Sequence, residues 1–180
     1  MKVSVVVVMS LNGKITRGSG GSVMSWASQA DGAFFKQILA ENSVHIMGNR
    51  TYQSAKLKPN STKLRVLLTR QPDAHFDAAI PGEIEYTAAR PTAIINDLQN
   101  RGYDSALVLG GSEIYSLFIG SGLVTDLYIT VEPVIFNSGV DLVSNLAANV
   151  SCTLVSSEIL NEQGSLLLHY TLNPKVIEQL

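Results

Sequence analysis

The sequence predicts an α/β domain: a mostly parallel sheet of about eight strands, helices on both faces, and an antiparallel hairpin near the C-terminal end. Three observations predict it. Short runs rich in β-branched residues alternate with segments of helical period. Several of those runs are continuously apolar, as strands are when both faces are covered. Glycine recurs where a strand gives way to a helix, at Gly48 and at Gly110–Gly111.

The elements follow in order. Lys2–Met9 reads as a buried central strand. Residues 10–25 form a glycine-rich loop (Gly13, Gly18, Gly20, Gly21), long enough to suggest function or motion. A helix follows, capped by Ser28, with Asp31 in its first turn and Phe34, Phe35, Ile38 and Leu39 on its apolar face. Val44–Met47 is a strand, and a short helix starts at Thr51. Leu64–Thr69 and Glu83–Tyr86 are strands. Pro91–Arg101 is a helix with Pro91 at its start and Gly102 just past its end. Ala106–Leu109 is a buried strand, and Gly110–Gly111 opens a helix that lasts to about Gly120. Leu127–Glu132 is a strand. Leu154–Leu160 and Leu166–Leu172 flank a turn at Asn161–Gly164 and form the hairpin. Residues 1–174 are expected to form one domain and 175–180 a C-terminal tail.

Composition narrows the function. Apolar residues make up 46% of the 180 and charged residues 16%, which excludes a disordered chain. Thirteen basic residues stand against fifteen acidic ones, for a net charge of −2. Nucleic-acid binding needs a basic excess to displace counterions, so no such partner is expected. No run approaches the ~20 apolar residues of a membrane span, and the N-terminal run, broken by Ser4, does not read as a targeting signal. Cys152 is the one cysteine, so no intrachain disulfide can form and the cytoplasm is the expected location. His45, His75 and His169 are scattered without metal-ligand spacing, so no metal is expected. Neither a G-x-S-x-G elbow nor a P-loop is present. Whether the chain is a monomer or a homodimer stays open.

Three strand ends carry the chemical signal. In open α/β sheets ligands bind outside the carboxyl ends of the strands. Here those ends read Met47-Gly48-Asn49-Arg50-Thr51, Leu68-Thr69-Arg70-Gln71 and Leu109-Gly110-Gly111-Ser112-Glu113. A glycine turn into a helix lets backbone approach a ligand and aims free N–H groups at an anion. Arg50 and Arg70 can add charge-assisted bonds. Any one such turn needs glycine for its own geometry; the three together point to a ligand with several phosphates. Asp31 is the second signal. A carboxylate at a helix start is favoured by the dipole alone. Beside an apolar face, with Phe35 one turn on, it also suits proton chemistry on a flat heterocycle.

These residues resemble a known family. Met24-Ser25-Trp26 with Asp31 and Phe34-Phe35-Lys36 is similar to the Met-Pro-Trp…Asp-x-x-x-Phe-Lys region of dihydrofolate reductases. Ile46-Met47-Gly48-Asn49-Arg50-Thr51-Tyr52-Gln53-Ser54 resembles their I-M-G-R-x-T-[WY]-x-S motif. Leu68-Thr69-Arg70 resembles their L-[ST]-R strand end, Gly110-Gly111-Ser112-Glu113-Ile114-Tyr115 their G-G-x-x-[VI]-Y, and Leu127-Tyr128-Ile129-Thr130 their L-Y-L-T strand. The motifs occur in the right order over nearly the whole chain. Two other segments, Met9–Ile15 and Glu132–Phe136 with Gly139, look more like a sister family, the pyrimidine reductases of riboflavin synthesis.

The resemblance implies NADPH as hydride donor and a small-molecule substrate. It places Val8, Ile15, Gly48, Arg50, Thr51, Gly110, Gly111, Ser112, Glu113, Ile114 and Tyr115 along the cofactor, with Thr69 and Arg70 on the adenosine 2′-phosphate. It makes Asp31 the group that binds the amino-pyrimidine edge of a pterin and promotes ring protonation, helped by Thr130. It sets Phe35 against the ring and Trp26 at the end of a closing loop. Two departures matter. Asn49 stands where the family commonly has arginine. The arginine that grips the folate tail has no clear match; Lys63 or Arg65 takes that place. Three functions follow as expectations: dihydrofolate reductase first, the riboflavin-pathway pyrimidine reductase second, and a non-catalytic NADP-binding module third.

Overall fold

A computed structural model describes residues 1–18 and 23–176. Eight strands form one sheet: β1 (Lys2–Ser10), β2 (Val44–Gly48), β3 (Leu64–Leu68), β4 (Ile84–Thr87), β5 (Ser105–Val108), β6 (Asp126–Glu132), β7 (Val150–Ile159) and β8 (Leu166–Val176). Their order is β4-β3-β2-β5-β1-β6-β8-β7. The first six are parallel to one another, and β8 pairs antiparallel with both β6 and β7. Four helices connect them: α1 (Gln29–Glu41), α2 (Asn49–Ala55), α3 (Pro91–Asn100) and α4 (Ser112–Gly120). No helix among the described residues is long and apolar enough to cross a membrane.

Strand alternation sorts the apolar side chains onto two faces. On one face Val5, Val7, Ile46, Val66, Val108 and Ile129 form the main core with Ile94, Ile95 and Leu98 of α3 and Tyr115, Phe118 and Ile119 of α4. Phe118 is fully buried there. On the other face Val6 and Leu107 pack on Ile38 of α1. Met47, Leu67 and Ile84 pack beside them with Tyr52 of α2. β1 lies between β5 and β6, covered on both sides, which is why its sequence is nearly unbroken valine.

The expected elements are present, with shifts at their ends. α2 begins at Asn49, two residues before the expected Thr51. β8 runs on to Val176, past Leu172 and into the segment set apart as a tail; residues 177–180 lie outside the described part. Two 3₁₀ turns, Val23–Ser25 and Pro72–Ala78, were not expected. Of the glycine-rich loop, residues 19–22 also lie outside it. The rest of that loop is tied to the segment after β6. Asn12 donates to the Phe136 carbonyl at 2.8 Å and accepts the Phe136 N–H at 3.1 Å. Ile15 N–H donates to Val140 and Gly18 N–H to Ser138.

Candidate active site

The carboxyl ends of β2 and β5 come together as the parallel register requires. Gly48 N–H donates to the Gly110 carbonyl at 2.7 Å. A Cβ on Gly48 would lie 3.3 Å from Ile114, and one on Gly111 would lie 3.5 Å from the Thr51 hydroxyl. Gly48, Thr51, Gly110, Gly111 and Ile114 are therefore one cluster, and Gly48 and Gly111 also serve as the N-caps of α2 and α4. Neither cap supplies a side-chain acceptor, so helix N–H groups are left open. Gly110 has φ +90°, and the Gly110–Gly111 peptide is cis. Arg50 and Glu113 pair across the two helix starts at 3.1 Å, both exposed.

Ser112 lies at the start of α4. Tyr115 does not face outward: it is buried, its hydroxyl donates to the Val6 carbonyl at 2.8 Å, and it supports the Gly110 turn from within the core. Ile15 is buried in the same core and Val8 is half-buried on β1. Thr69 N–H continues the ladder to Thr87, while Arg70 is exposed and belongs to none of the ion pairs among the described residues. Asn49 turns toward His75, with Nδ2 3.1 Å from Nε2. His75 in turn stacks on Tyr86. No local pattern marks His75 for this place, because a 3₁₀ turn brings it there.

Asp31 sits in the first turn of α1, 7% exposed. Ser28 caps the helix by accepting the Asp31 N–H at 3.1 Å. Thr130 on β6 is 1% exposed and lies beside Asp31. Loss of water around the carboxyl is the largest effect on it and raises its pKa; the Thr130 hydroxyl lowers it, and the charge of Glu132 raises it again. The sum is upward: burial outweighs the stabilisation of the anion by Thr130 and by the helix dipole. Phe35 lies one turn along α1 and is 37% exposed. Phe34 turns the other way, toward Tyr128. Trp26 is half-buried, edge-on to Phe136 at 5.1 Å, and its buried Nε1 has no hydrogen-bond partner among the described residues.

Lys63 and Arg65 do not come to this place as a pair. Lys63 Nζ donates to the carbonyls of Leu39, Ala40 and Asn42 at 2.8–3.0 Å and so closes the C-terminal end of α1. That end carries the negative pole of the helix, which a lysine satisfies. Lys63, expected at a substrate tail, is engaged here at the end of α1. Arg65 is 6% exposed, in register with His45 on β2, and its Nε and Nη1 have no hydrogen-bond partner among the described residues. Among the described residues no group of histidine, cysteine and carboxylate side chains could hold a metal ion.

A sheet of this order, with glycine turns at two adjacent strand ends and a buried carboxylate on the covering helix, defines an α/β domain with a candidate ligand site at the carboxyl ends of its strands. The dihydrofolate reductase family model matches residues 2–139, and the chain belongs to that family. It is 31% identical over 110 residues to a dihydrofolate reductase of Neisseria meningitidis serogroup A, a match covering 61% of each chain. The chain thus spans about three fifths of the length of the curated relatives it matches. Its fold is similar to that of a pyrimidine reductase-like protein from Corynebacterium diphtheriae (TM-score 0.80, 15% identity, 96% of this chain and 92% of that one). It is also similar to a diaminohydroxyphosphoribosylaminopyrimidine deaminase/5-amino-6-(5-phosphoribosylamino)uracil reductase from Thermotoga maritima. That match has a TM-score of 0.74 and 20% identity, over 94% of this chain and 56% of that one.

Proposed function

We propose that the chain is an NADPH-dependent reductase of a pterin or pyrimidine ring, with dihydrofolate as its first substrate. One observation carries the reading: Asp31 is a buried carboxylate in the first turn of α1, and its burial raises its affinity for a proton. Such a group binds the N–H edge of an amino-heterocycle and holds a proton to a higher pH than a free aspartate does. Family membership and the 31% identity to dihydrofolate reductases support the same reading.

The residues fit the cofactor. Open N–H groups at the start of α4, the bare Gly48 and Gly111 surfaces and the Thr51 hydroxyl suit a pyrophosphate, and Arg50 adds charge beside them. Thr69 and the free guanidinium of Arg70 suit a 2′-phosphate. NADPH supplies the hydride. The chain supplies the rest: Phe35 offers a ring face, Trp26 borders the entrance, and Asp31 and Thr130 orient the ring and hold the proton.

A second reading is the riboflavin-pathway pyrimidine reductase. Lys63 is committed to the end of α1, so the family's usual hold on a glutamate tail is missing at that position. Arg65 remains as the cation on that strand. The test is NADPH oxidation with dihydrofolate and with the phosphorylated ribosylaminopyrimidine offered separately. Turnover with dihydrofolate supports the first reading. Turnover with the pyrimidine alone replaces it by the second. NADPH binding without turnover on either makes the chain a binding module.

A further inference from the structure

We propose that Glu132 is a positioning residue for Asp31, fixing the start of α1 and placing a negative charge beside the carboxylate of the site. The inference rests on the reading of Asp31 given above. Glu132 was not among the residues the sequence singled out for the site.

Glu132 follows Thr130 by two positions on β6, so both side chains leave the strand on the face covered by α1. It is 4% exposed. One carboxylate oxygen accepts the Ser28 N–H at 2.8 Å. The other accepts the Ser165 hydroxyl at 2.5 Å. Ser165 is itself 1% exposed and is held by Asn161: its N–H donates to Asn161 Oδ1 at 3.1 Å, and Asn161 Nδ2 donates to its hydroxyl oxygen at 2.8 Å. At the other end Ser28 accepts the Asp31 N–H. A continuous chain of bonds therefore runs from the β7–β8 turn through Ser165, Glu132 and Ser28 to Asp31.

None of the ion pairs among the described residues includes Glu132. A buried carboxylate without a cation is costly, and a neutral glutamine could accept the same Ser28 N–H. Holding the helix start does not by itself require the charge. The charge has another target, since it opposes ionisation of Asp31. The remaining groups around the pair do not offset it. Lys2, Asp126 and His169 lie at the other end of this face and bond among themselves. Segment Ser4–Ser10 of β1 has no ionisable side chain, and Lys36 and Glu41 of α1 are exposed.

The test is Glu132→Gln, read by carbon-13 titration of the Asp31 carboxyl in the protein without ligands, with Asp31→Asn to identify the resonance. The Asp31 titration is expected to move down by about half a pH unit or more, as removal of a nearby like charge predicts. The pH profile of kcat/KM should move the same way. In Glu132→Ala, amide exchange at Ser28 and Asp31 should also quicken, because the clamp itself is gone. A folded Glu132→Gln protein with an unmoved Asp31 titration overturns the proposal. So does a failure of Glu132→Gln to fold, which would make the charge a requirement of the fold itself. A moved titration in a protein that never oxidises NADPH would keep the proposal and reject the reductase reading.

Discussion

The Ser28 hydroxyl accepts the Asp31 N–H at 3.1 Å and fixes the first turn of α1. That cap holds an ionisable carboxyl where water is scarce. Replacing Asp31 by Asn removes the charge and keeps the size. Turnover should fall at least about ten- to a hundredfold, as expected for lost proton catalysis. Stability should change the other way. The folded pKa is raised, so the stabilising contribution is full below the unfolded carboxylate's pKa and is lost as pH rises through the folded value. At pH 7 the native protein bears that loss and Asp31→Asn does not. Calorimetry at pH 7 should show a higher Tm for the variant. An unchanged rate rejects Asp31 as the proton-handling group.

His45 gives a pH dependence of opposite sign. It is 5% exposed on β2, with Nε2 3.1 Å from the Asn42 carbonyl, and burial pushes its pKa down to about 4. The unfolded chain takes up a proton near pH 6.5, before the folded protein does. Stability should therefore fall as pH drops from about 6.5 to about 4, by up to roughly 3 kcal/mol. Urea unfolding at pH 7, 5.5 and 4.5 checks this. A His45→Gln variant should lose much of that pH dependence.

Lys63 separates a structural role from a ligand role. Lys63→Met keeps the apolar stem and removes three donors from the end of α1. The expected cost is about 1–2 kcal/mol of stability, from a charge-assisted cap at a helix C-terminus. KM for dihydrofolate should stay within about twofold. A tenfold rise in KM at unchanged stability would return Lys63 to the substrate site.

Arg70 tests the cofactor assignment. It is exposed and free of ion pairs among the described residues. Arg70→Ala should raise KM for NADPH by about tenfold or more and leave NADH use nearly unchanged, since a charge-assisted bond to a phosphate is worth roughly 1.5–3 kcal/mol before salt screening. Equal losses with both cofactors would reject the 2′-phosphate contact.

Gly110 tests the turn beneath the proposed cofactor site. A Cβ there would lie 2.7 Å from the Tyr115 ring, and φ is +90°. Gly110→Ala should destabilise the fold by at least about 2 kcal/mol, from the strained backbone and the displaced ring together. Tyr115→Phe, which leaves the buried Val6 carbonyl without its donor, should cost about 1–2 kcal/mol. Thermal melts of the two variants measure both.

The fold was legible where side-chain pattern and local turn chemistry coincide. The valines of β1, the Pro91 and Gly102 that bound α3 and the Gly110–Gly111 turn each state their own role. Asp31 was legible because a helix-start carboxylate next to Phe34 and Phe35 is a local pattern. Glu132 was not. Its neighbours in the site, Ser28 and Ser165, lie 104 and 33 residues away, and its position at a strand end reads as solvated. Lys63 and Arg65 were read together as alternatives for the substrate tail because alternation gives a face and not a depth. In the structure one is spent on α1 and the other is covered. The segment after β6 has neither helical nor strand period, so its attachment to Asn12 and Ile15 could not be anticipated.

The strand order has a consequence for how this chain is made. β1 is hydrogen-bonded on both edges to strands that lie more than a hundred residues further on, since Lys2 pairs with Ser105 and Ser4 with Asp126. At roughly 5–20 residues per second of synthesis, β1 waits about 5–20 s before either neighbour exists. Through that interval its valines are a bare, β-prone segment with no native partner. A cell that makes this protein must keep that strand shielded until its middle and last thirds arrive.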